Sequence, residues 1–326
     1  MKYSAIIRWL LAALMLCCVA LLVSSPSIAE EAVPGKLPLD FTVGGMKPKA
    51  ENWTYDEKGN ANGYTDSTIQ MSLERGEITL TVKGKKVKHE TVVIRVKIQD
   101  VTQLRTAVSK DTYKGRGQAK AVDMAKSKNA VVALNGDFFK YENDVGYVVR
   151  QGEFVRDATS NKRRIFDMLV IDDAGDFHAV YAADTQKIEQ FVANELTPAG
   201  RTILDTFNLG PVLIVNGEVQ DVSQSQVALT PPGLYQWSYP QQRICLAQMG
   251  PLEYAIVEVF GRTDSTAGMA IQDFAEFVAE QCPGAILAYN LDGGGSTNLV
   301  VNNKRACKTP GLREITDIIY FASAEE

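Results

Sequence analysis

The sequence predicts an α+β fold, a single domain with a mixed β-sheet core flanked by a few helices. Three observations predict it. Val92, Ile94, Val96 and Ile98 alternate with Arg95, Lys97 and Gln99, the period of a half-buried strand. Ala130-Val131-Val132-Ala133-Leu134 is an apolar run of strand length that stops at Asn135-Gly136-Asp137. Ile271, Phe274, Phe277 and Val278 recur at helical spacing and halt at Cys282-Pro283-Gly284, where glycine and proline end a helix.

The other elements follow in order. Residues 30–87 are rich in Gly, Asn, Lys and Thr and form an extended N-terminal segment, with strands at 69–73 and 78–82. Residues 88–326 form the main domain. Ala121, Val122 and Ala125 mark a short helix over 118–128, ahead of the strand at 130–134. Further strands are expected at 168–171, 211–215, 244–248 and 254–260. Asn216-Gly217 is a hairpin turn, since both residues tolerate positive φ, and Gly250-Pro251 joins two apolar runs in the same manner. Residues 285–290, 299–301 and 315–321 complete the strands, the helical stripe at 271–278 being core. No internal repeat or linker is visible.

The N-terminus sets the compartment. Lys2 and Arg8 precede an apolar stretch at about 9–23, and Ser27-Ile28-Ala29 fits the small-x-small rule for signal peptidase. Residues 1–29 read as a signal peptide, so the chain is expected in the cell envelope or secreted. It would stay on the membrane only if that segment is retained as an anchor. Cleavage removes two basic residues and no acid, taking the net charge from −5 to −7. A chain this acidic lacks the basic stripe of a nucleic-acid binder.

Three cysteines remain after cleavage, Cys245, Cys282 and Cys307. An odd number allows at most one disulfide. Cys245 lies within an apolar strand and reads as a buried thiol; Cys282 and Cys307 are the better pair. Only two histidines occur, His89 and His178. Each reads as a surface residue, His89 because it follows the Lys-rich run 83–88. That scarcity weakens Ser-His-Asp, Cys-His and poly-His zinc mechanisms.

Chemistry concentrates in Asn290-Leu291-Asp292-Gly293-Gly294-Gly295-Ser296-Thr297-Asn298. Three glycines directly after a strand cost backbone entropy and let bare N–H groups approach a ligand, as anion-binding nests do. Around the bend stand the amide of Asn290, the carboxylate of Asp292 and the hydroxyl of Ser296. An ordinary hairpin is the plainer alternative, though two residues would suffice for it. Asn135-Gly136-Asp137 is a second strand end with a carboxylate, and by itself a turn signature. Arg243 and Arg262 flank a buried strand, and arginine suits bidentate contact with phosphate. Either could equally be a structural ion-pair partner.

Taken in order, these blocks resemble the phosphodiester glycosidase family, the family of the animal uncovering enzyme, and in particular its bacterial branch. The resemblance runs from about residue 88 to 322. It takes in Ala133-Leu134-Asn135-Gly136-Asp137-Phe138-Phe139, Gly146-Tyr147-Val148-Val149-Arg150 and Leu209-Gly210-Pro211-Val212-Leu213. Arg243, Gly261-Arg262, the Asp292 loop and Arg313-Glu314-Ile315-Thr316-Asp317 follow. Two departures stand out. The family's Pro-Arg-Thr-Ala-Ile-Gly is here Gln242-Arg243-Ile244-Cys245-Leu246-Ala247, and its Asp-Gly-Arg is Phe260-Gly261-Arg262. Glu258 shares a strand face with position 260. It either stands in for the missing aspartate by pairing with Arg262 or faces solvent.

The resemblance implies hydrolysis of a sugar-1-phosphodiester at the anomeric carbon. It assigns catalysis to Asp292, Asp137 and Arg243, and substrate contacts to Asn135, Gly136, Arg262, Asn290, Gly293, Gly294, Gly295, Ser296 and Thr297. Which carboxylate acts as base stays open. The implied partner is a sugar phosphodiester or cell-envelope glycan. No cofactor is required, and a structural divalent cation is left open. Two other readings are a glycan-binding or exopolysaccharide-assembly protein without turnover and an ordinary wall glycosidase. The last needs two opposed carboxylates at a set separation.

Overall fold

The computed structural model describes residues 35–82, 84–113, 117–137, 146–157, 166–222, 239–261, 267–306 and 312–326. The expected signal peptide, Phe138, Phe139, Arg262 and Cys307 lie outside them.

The fold is α+β and dominated by strands. The largest sheet has nine, in the order Trp53–Tyr55, Ala61–Thr65, Ile69–Val82, Lys85–Ile98, Glu253–Val259, Arg243–Gly250, Leu287–Asn290, Val212–Val215 and Glu218–Val219. A five-stranded sheet runs Lys304–Arg305, Leu299–Val301, Ala130–Asn135, Asp317–Ala322 and Leu104–Val108. Phe177–Val180, Asp167–Asp172 and Ile203–Leu209 make a three-stranded sheet, and Tyr147–Arg150 pairs with Glu153–Asp157.

The central core lies between the sheets. Val92, Ile94, Ile244, Leu246, Ile256 and Tyr289 of the large sheet pack with Val132, Leu134, Ile319 and Phe321 of the five-stranded one. One helix covers the outer face of each of three sheets. Helix α1 (Ala121–Ser127) packs Met124 and Ala125 against Ala133, Ile318 and Tyr320. Helix α2 (Thr185–Phe191), capped by the Asp184 side chain on the Lys187 N–H, sets Ile188 against Met168 and Val170. Helix α3 (Ile271–Gln281) buries Phe274, Phe277 and Val278 on Cys245, Ala255 and Val257.

Four expectations change. Every strand pairing among the described residues is antiparallel, so the sheets are not mixed. The fully apolar run at 130–134 is buried on both faces because a sheet covers one side and α1 the other. That burial imitates a parallel strand. Residues 69–73 and 78–82 belong to one strand, because the exposed Glu74-Arg75-Gly76-Glu77 still pairs by backbone with residues 90–93. The strand Lys85–Ile98 runs continuously through residues 87 and 88. His89 is buried, not solvated: its strand alternates faces, so Lys88 and Glu90 face water while His89 Nε2 accepts from the Gly268 N–H at 3.2 Å. Cys282 is a free buried thiol, which overturns the expected pairing with Cys307.

Candidate active site

The glycine-rich loop crosses from one sheet to the other. It leaves the nine-stranded sheet at Asn290 and enters the five-stranded one at Leu299. Asn135, at the end of its strand, clamps both ends of the loop: its Nδ2 donates to the Asp292 carbonyl at 3.0 Å and its Oδ1 accepts from the Asn298 N–H at 3.0 Å. Asn290 Nδ2 donates to the Gly210 carbonyl at 2.7 Å.

Within the loop, the Gly294 N–H donates to the Gln242 carbonyl at 2.9 Å. A Cβ at Gly293 would meet that same carbonyl at 2.8 Å, so the approach demands glycine there. The Ser296 and Thr297 N–H groups close a tight turn on Gly293 and Gly294. The N–H groups of Gly294, Ser296 and Thr297 are therefore engaged within the protein, which leaves fewer donors for an anion than three bare glycines suggest.

Asp292 Oδ2 lies 3.0 Å from Arg313 Nη2, with 17% of its side chain exposed. Arg313 Nε donates to Ser296 Oγ at 2.7 Å, and its N–H donates to the Gly295 carbonyl at 2.8 Å. Burial raises the Asp292 carboxyl above its ordinary range, opposed by hydrogen bonds from Ser296 and Arg313 and by the Gly293 N–H. Arg243 begins the strand beside Asn290 and is 2% exposed. Its Nε donates to the Met269 carbonyl at 3.2 Å and its Nη2 to the Tyr239 carbonyl at 3.1 Å. Burial lowers it to about 10, and the charge of Asp292 works against that fall.

Asp137 turns elsewhere. Its Oδ2 lies 3.2 Å from Arg150 Nη2 and accepts from Asn208 Nδ2 at 3.0 Å. The same Nη2 lies 3.0 Å from Asp317 Oδ2. Arg150 is fully buried, and its guanidinium stacks 4.5 Å above the Phe207 ring. Burial lifts Asp317 to about 7, with Arg150 opposing and Asp137 adding to the rise. A Cβ at Gly136 would stand 2.6 Å from the Asp317 carboxyl carbon, so Gly136 makes room for this cluster. Hence the predicted residues separate into Asp292, Ser296, Asn135 and Arg243 around the loop, and Asp137 with Gly136 in a buried ion cluster.

Arg313, Arg150 and Asp317 carry this geometry without having been singled out for chemistry. A cation, Arg150, and a carboxyl, Asp317, beside apolar runs are the available signal. Glu258 does not face solvent: it is 1% exposed and its Oε1 accepts from Gln242 Nε2 at 3.0 Å. Phe260 is packed into the central core. Among the described residues no group of three or more His, Cys, Asp or Glu is placed to hold a metal ion.

A model of the phosphodiester glycosidase family matches residues 128–322, more than half of the chain. The chain belongs to the phosphodiester glycosidase family. The matched stretch contains Asn135, Asp137, Arg150, Arg243, Asp292, Arg313 and Asp317, so both clusters lie within the phosphodiester glycosidase region. The structure is similar to the catalytic domain of zebrafish N-acetylglucosamine-1-phosphodiester α-N-acetylglucosaminidase, which is auto-inhibited by its pro-peptide. The TM-score is 0.59 at 17% identity, covering 78% of this chain and 83% of that one. A Synechocystis protein aligns with a TM-score of 0.49 at 16% identity, over 78% of this chain and 62% of that one. At 17% identity the likeness to the zebrafish catalytic domain is one of fold. No curated protein matches the chain by sequence.

Proposed function

We propose that this phosphodiester glycosidase is an exported hydrolase that cleaves sugar-1-phosphodiesters at the anomeric carbon. The observation that carries the reading is the Asp292 carboxylate, held by Arg313 and Ser296 on a glycine turn beside the buried Arg243. The leaving group is a phosphate monoester, with a second pKa of about 6. It therefore needs little of the general-acid help an alkoxide requires. What the site must supply is a hold on the phosphate and a negative charge facing an oxocarbenium-like transition state.

In this account Arg313 and Arg243 attract the phosphate and Asp292 serves the anomeric carbon. The water oxygen bonds to that carbon as its bond to the phosphate oxygen breaks. One water proton passes to Asp292, and the phosphate leaves with the bonding pair. Asn135 and Asn290 fix the strand ends that hold the loop. Two scarce histidines are no obstacle, because no step requires one.

One observation favours binding without turnover. Where the family usually carries an aspartate, Phe260 is packed in the core, and Glu258 is committed to Gln242. A panel of sugar-1-phosphodiesters and aryl glycosides separates the readings. Release of free sugar and phosphate monoester from the diesters alone supports the proposal. Aryl glycoside hydrolysis supports a wall glycosidase, and binding with no turnover supports the third reading.

A further inference from the structure

A second polar cavity of about 270 Å³ opens beside the hairpin that follows the glycine loop. Arg75, Lys304 and Arg305 line it, together with Tyr55, Asn60 and Asn302. Among the described residues no carboxylate lines it. Glu90 accepts from Arg75 at 3.0 Å, and Asp56 accepts from the side chain and N–H of Asn60. Arg75 Nη1 also donates to the Ala306 carbonyl at 2.7 Å, which fixes one cation at the wall. Tyr55 is 51% exposed, and its hydroxyl accepts from Asn302 Nδ2 at 3.4 Å.

This combination recognises a charged sugar better than a bare ion. An exposed aromatic offers a face for a sugar ring, an amide bonds hydroxyls, and guanidinium groups hold a phosphate. The cavity is also close to the candidate active site. Arg305 lines both it and a narrow crevice shared with Thr297 of the glycine loop and with Gln242, whose carbonyl accepts from the Gly294 N–H. Four Cα-to-Cα steps lead from Thr297 to Val301, so these two residues are no more than about 14 Å apart. Four of the nine lining residues, Tyr55, Asn60, Ala61 and Arg75, lie outside the family-matched stretch.

We propose that this cavity is a subsite for a second phosphate-linked sugar, so that the substrate is a polymer of sugar phosphodiesters and not a single diester. The inference rests on the proposed reaction for its substrate class. Its test does not need that reaction to occur.

The test uses the full chain, the Lys304→Ala/Arg305→Ala variant and Tyr55→Ala. Calorimetry measures binding of a poly(N-acetylglucosamine 1-phosphate) oligomer, of the monomeric N-acetylglucosamine-1-phospho-methyl ester and of a neutral chito-oligosaccharide. The parent should prefer the charged oligomer. The double variant should lose about tenfold in affinity for it, in keeping with loss of charge-assisted contacts, while the monomer is bound as before. Added salt should shrink the parent's preference. Oligomer binding unchanged in both variants overturns the subsite, as does equal binding of the neutral oligosaccharide. If turnover is absent on every diester but the binding losses appear, the subsite stands and the proposed reaction falls.

Discussion

Arg313 and Asp292 form an ion pair of 3.0 Å at the mouth of the site, and Arg313 steadies Ser296 at the same time. The pair opposes the effect of burial on the Asp292 carboxyl. Removing the guanidinium in Arg313→Ala should raise the carboxyl further. As a base, Asp292 works only when ionised, so the acidic limb of the pH profile of kcat/KM should move to higher pH. Lost positioning should also lower kcat by roughly tenfold to a hundredfold. Arg313→Lys should restore part of the rate. A profile that stays in place would separate Arg313 from Asp292 function.

A second expectation concerns Glu258. Burial pushes its carboxyl well above the usual range, opposed by the bond from Gln242. The folded protein thus holds a proton that the unfolded chain gives up at lower pH. Stability from this group is present in acid and declines as pH rises from the unfolded value toward the folded one. Glu258→Gln keeps an oxygen to accept from Gln242 and cannot ionise. It should match the parent near pH 5 and exceed it at pH 8 in thermal unfolding. Greater loss at pH 8 than at pH 5 would show that the ionised form is the stabilising one.

Asp205 offers the same test away from the loop. It is raised to about 7 by burial, against the pull of Arg150, and its Oδ1 accepts from Thr106 Oγ1 and the Gln151 N–H. Between its ordinary value and about 7 the folded state binds the extra proton, so stability should fall as pH rises through that window. Asp205→Asn retains both acceptor bonds and should flatten the fall. An unchanged slope of melting temperature between pH 4 and 8 would exclude Asp205 as a source.

Arg150 carries the largest structural demand. Replacing it by Met would leave Asp137, Asp317 and Asp205 buried without their shared cation. Breaking such a pairing costs roughly 3–5 kcal/mol, and the cost should shrink below about pH 7, where Asp205 and Asp317 become neutral. Urea unfolding at pH 5 and 8 reads both effects. Parent-like stability at pH 8 would mean the cluster is not ionised.

Several elements were legible in the sequence because the signal was local. Helix α3 follows from four apolar residues at helical spacing, and the Asp292 loop from three glycines after an apolar strand. The Asn135 clamp was visible as a strand ending in an amide. Arg313 and Arg150 were not, because their partners are distant in the chain: 21 residues separate Arg313 from Asp292, and 167 separate Arg150 from Asp317. Only the fold makes those pairs. His89 was misread for a different reason. Lysine neighbours suggest solvent, yet in a strand adjacent side chains face opposite ways. The loop's internal bonding is likewise invisible in the sequence, since the N–H groups of Gly294, Ser296 and Thr297 find carbonyls at Gln242, Gly293 and Gly294.

Export is tested at the N-terminus. Protein recovered from the native host should begin at Glu30 by mass spectrometry. Recovery of the intact leader in the membrane fraction would mean a retained anchor.

The central claim is that Asp292 meets charge that develops only in the transition state, whereas Arg243 attracts a phosphate already charged in the ground state. The direct measurement is steady-state kinetics of Asp292→Asn and Arg243→Ala on N-acetylglucosamine-1-phospho-methyl ester, with folding checked by circular dichroism. Asp292→Asn should lower kcat by about a hundredfold or more with little change in KM. Arg243→Ala should raise KM as well as lower kcat. A folded Asp292→Asn that turns over like the parent would contradict the account.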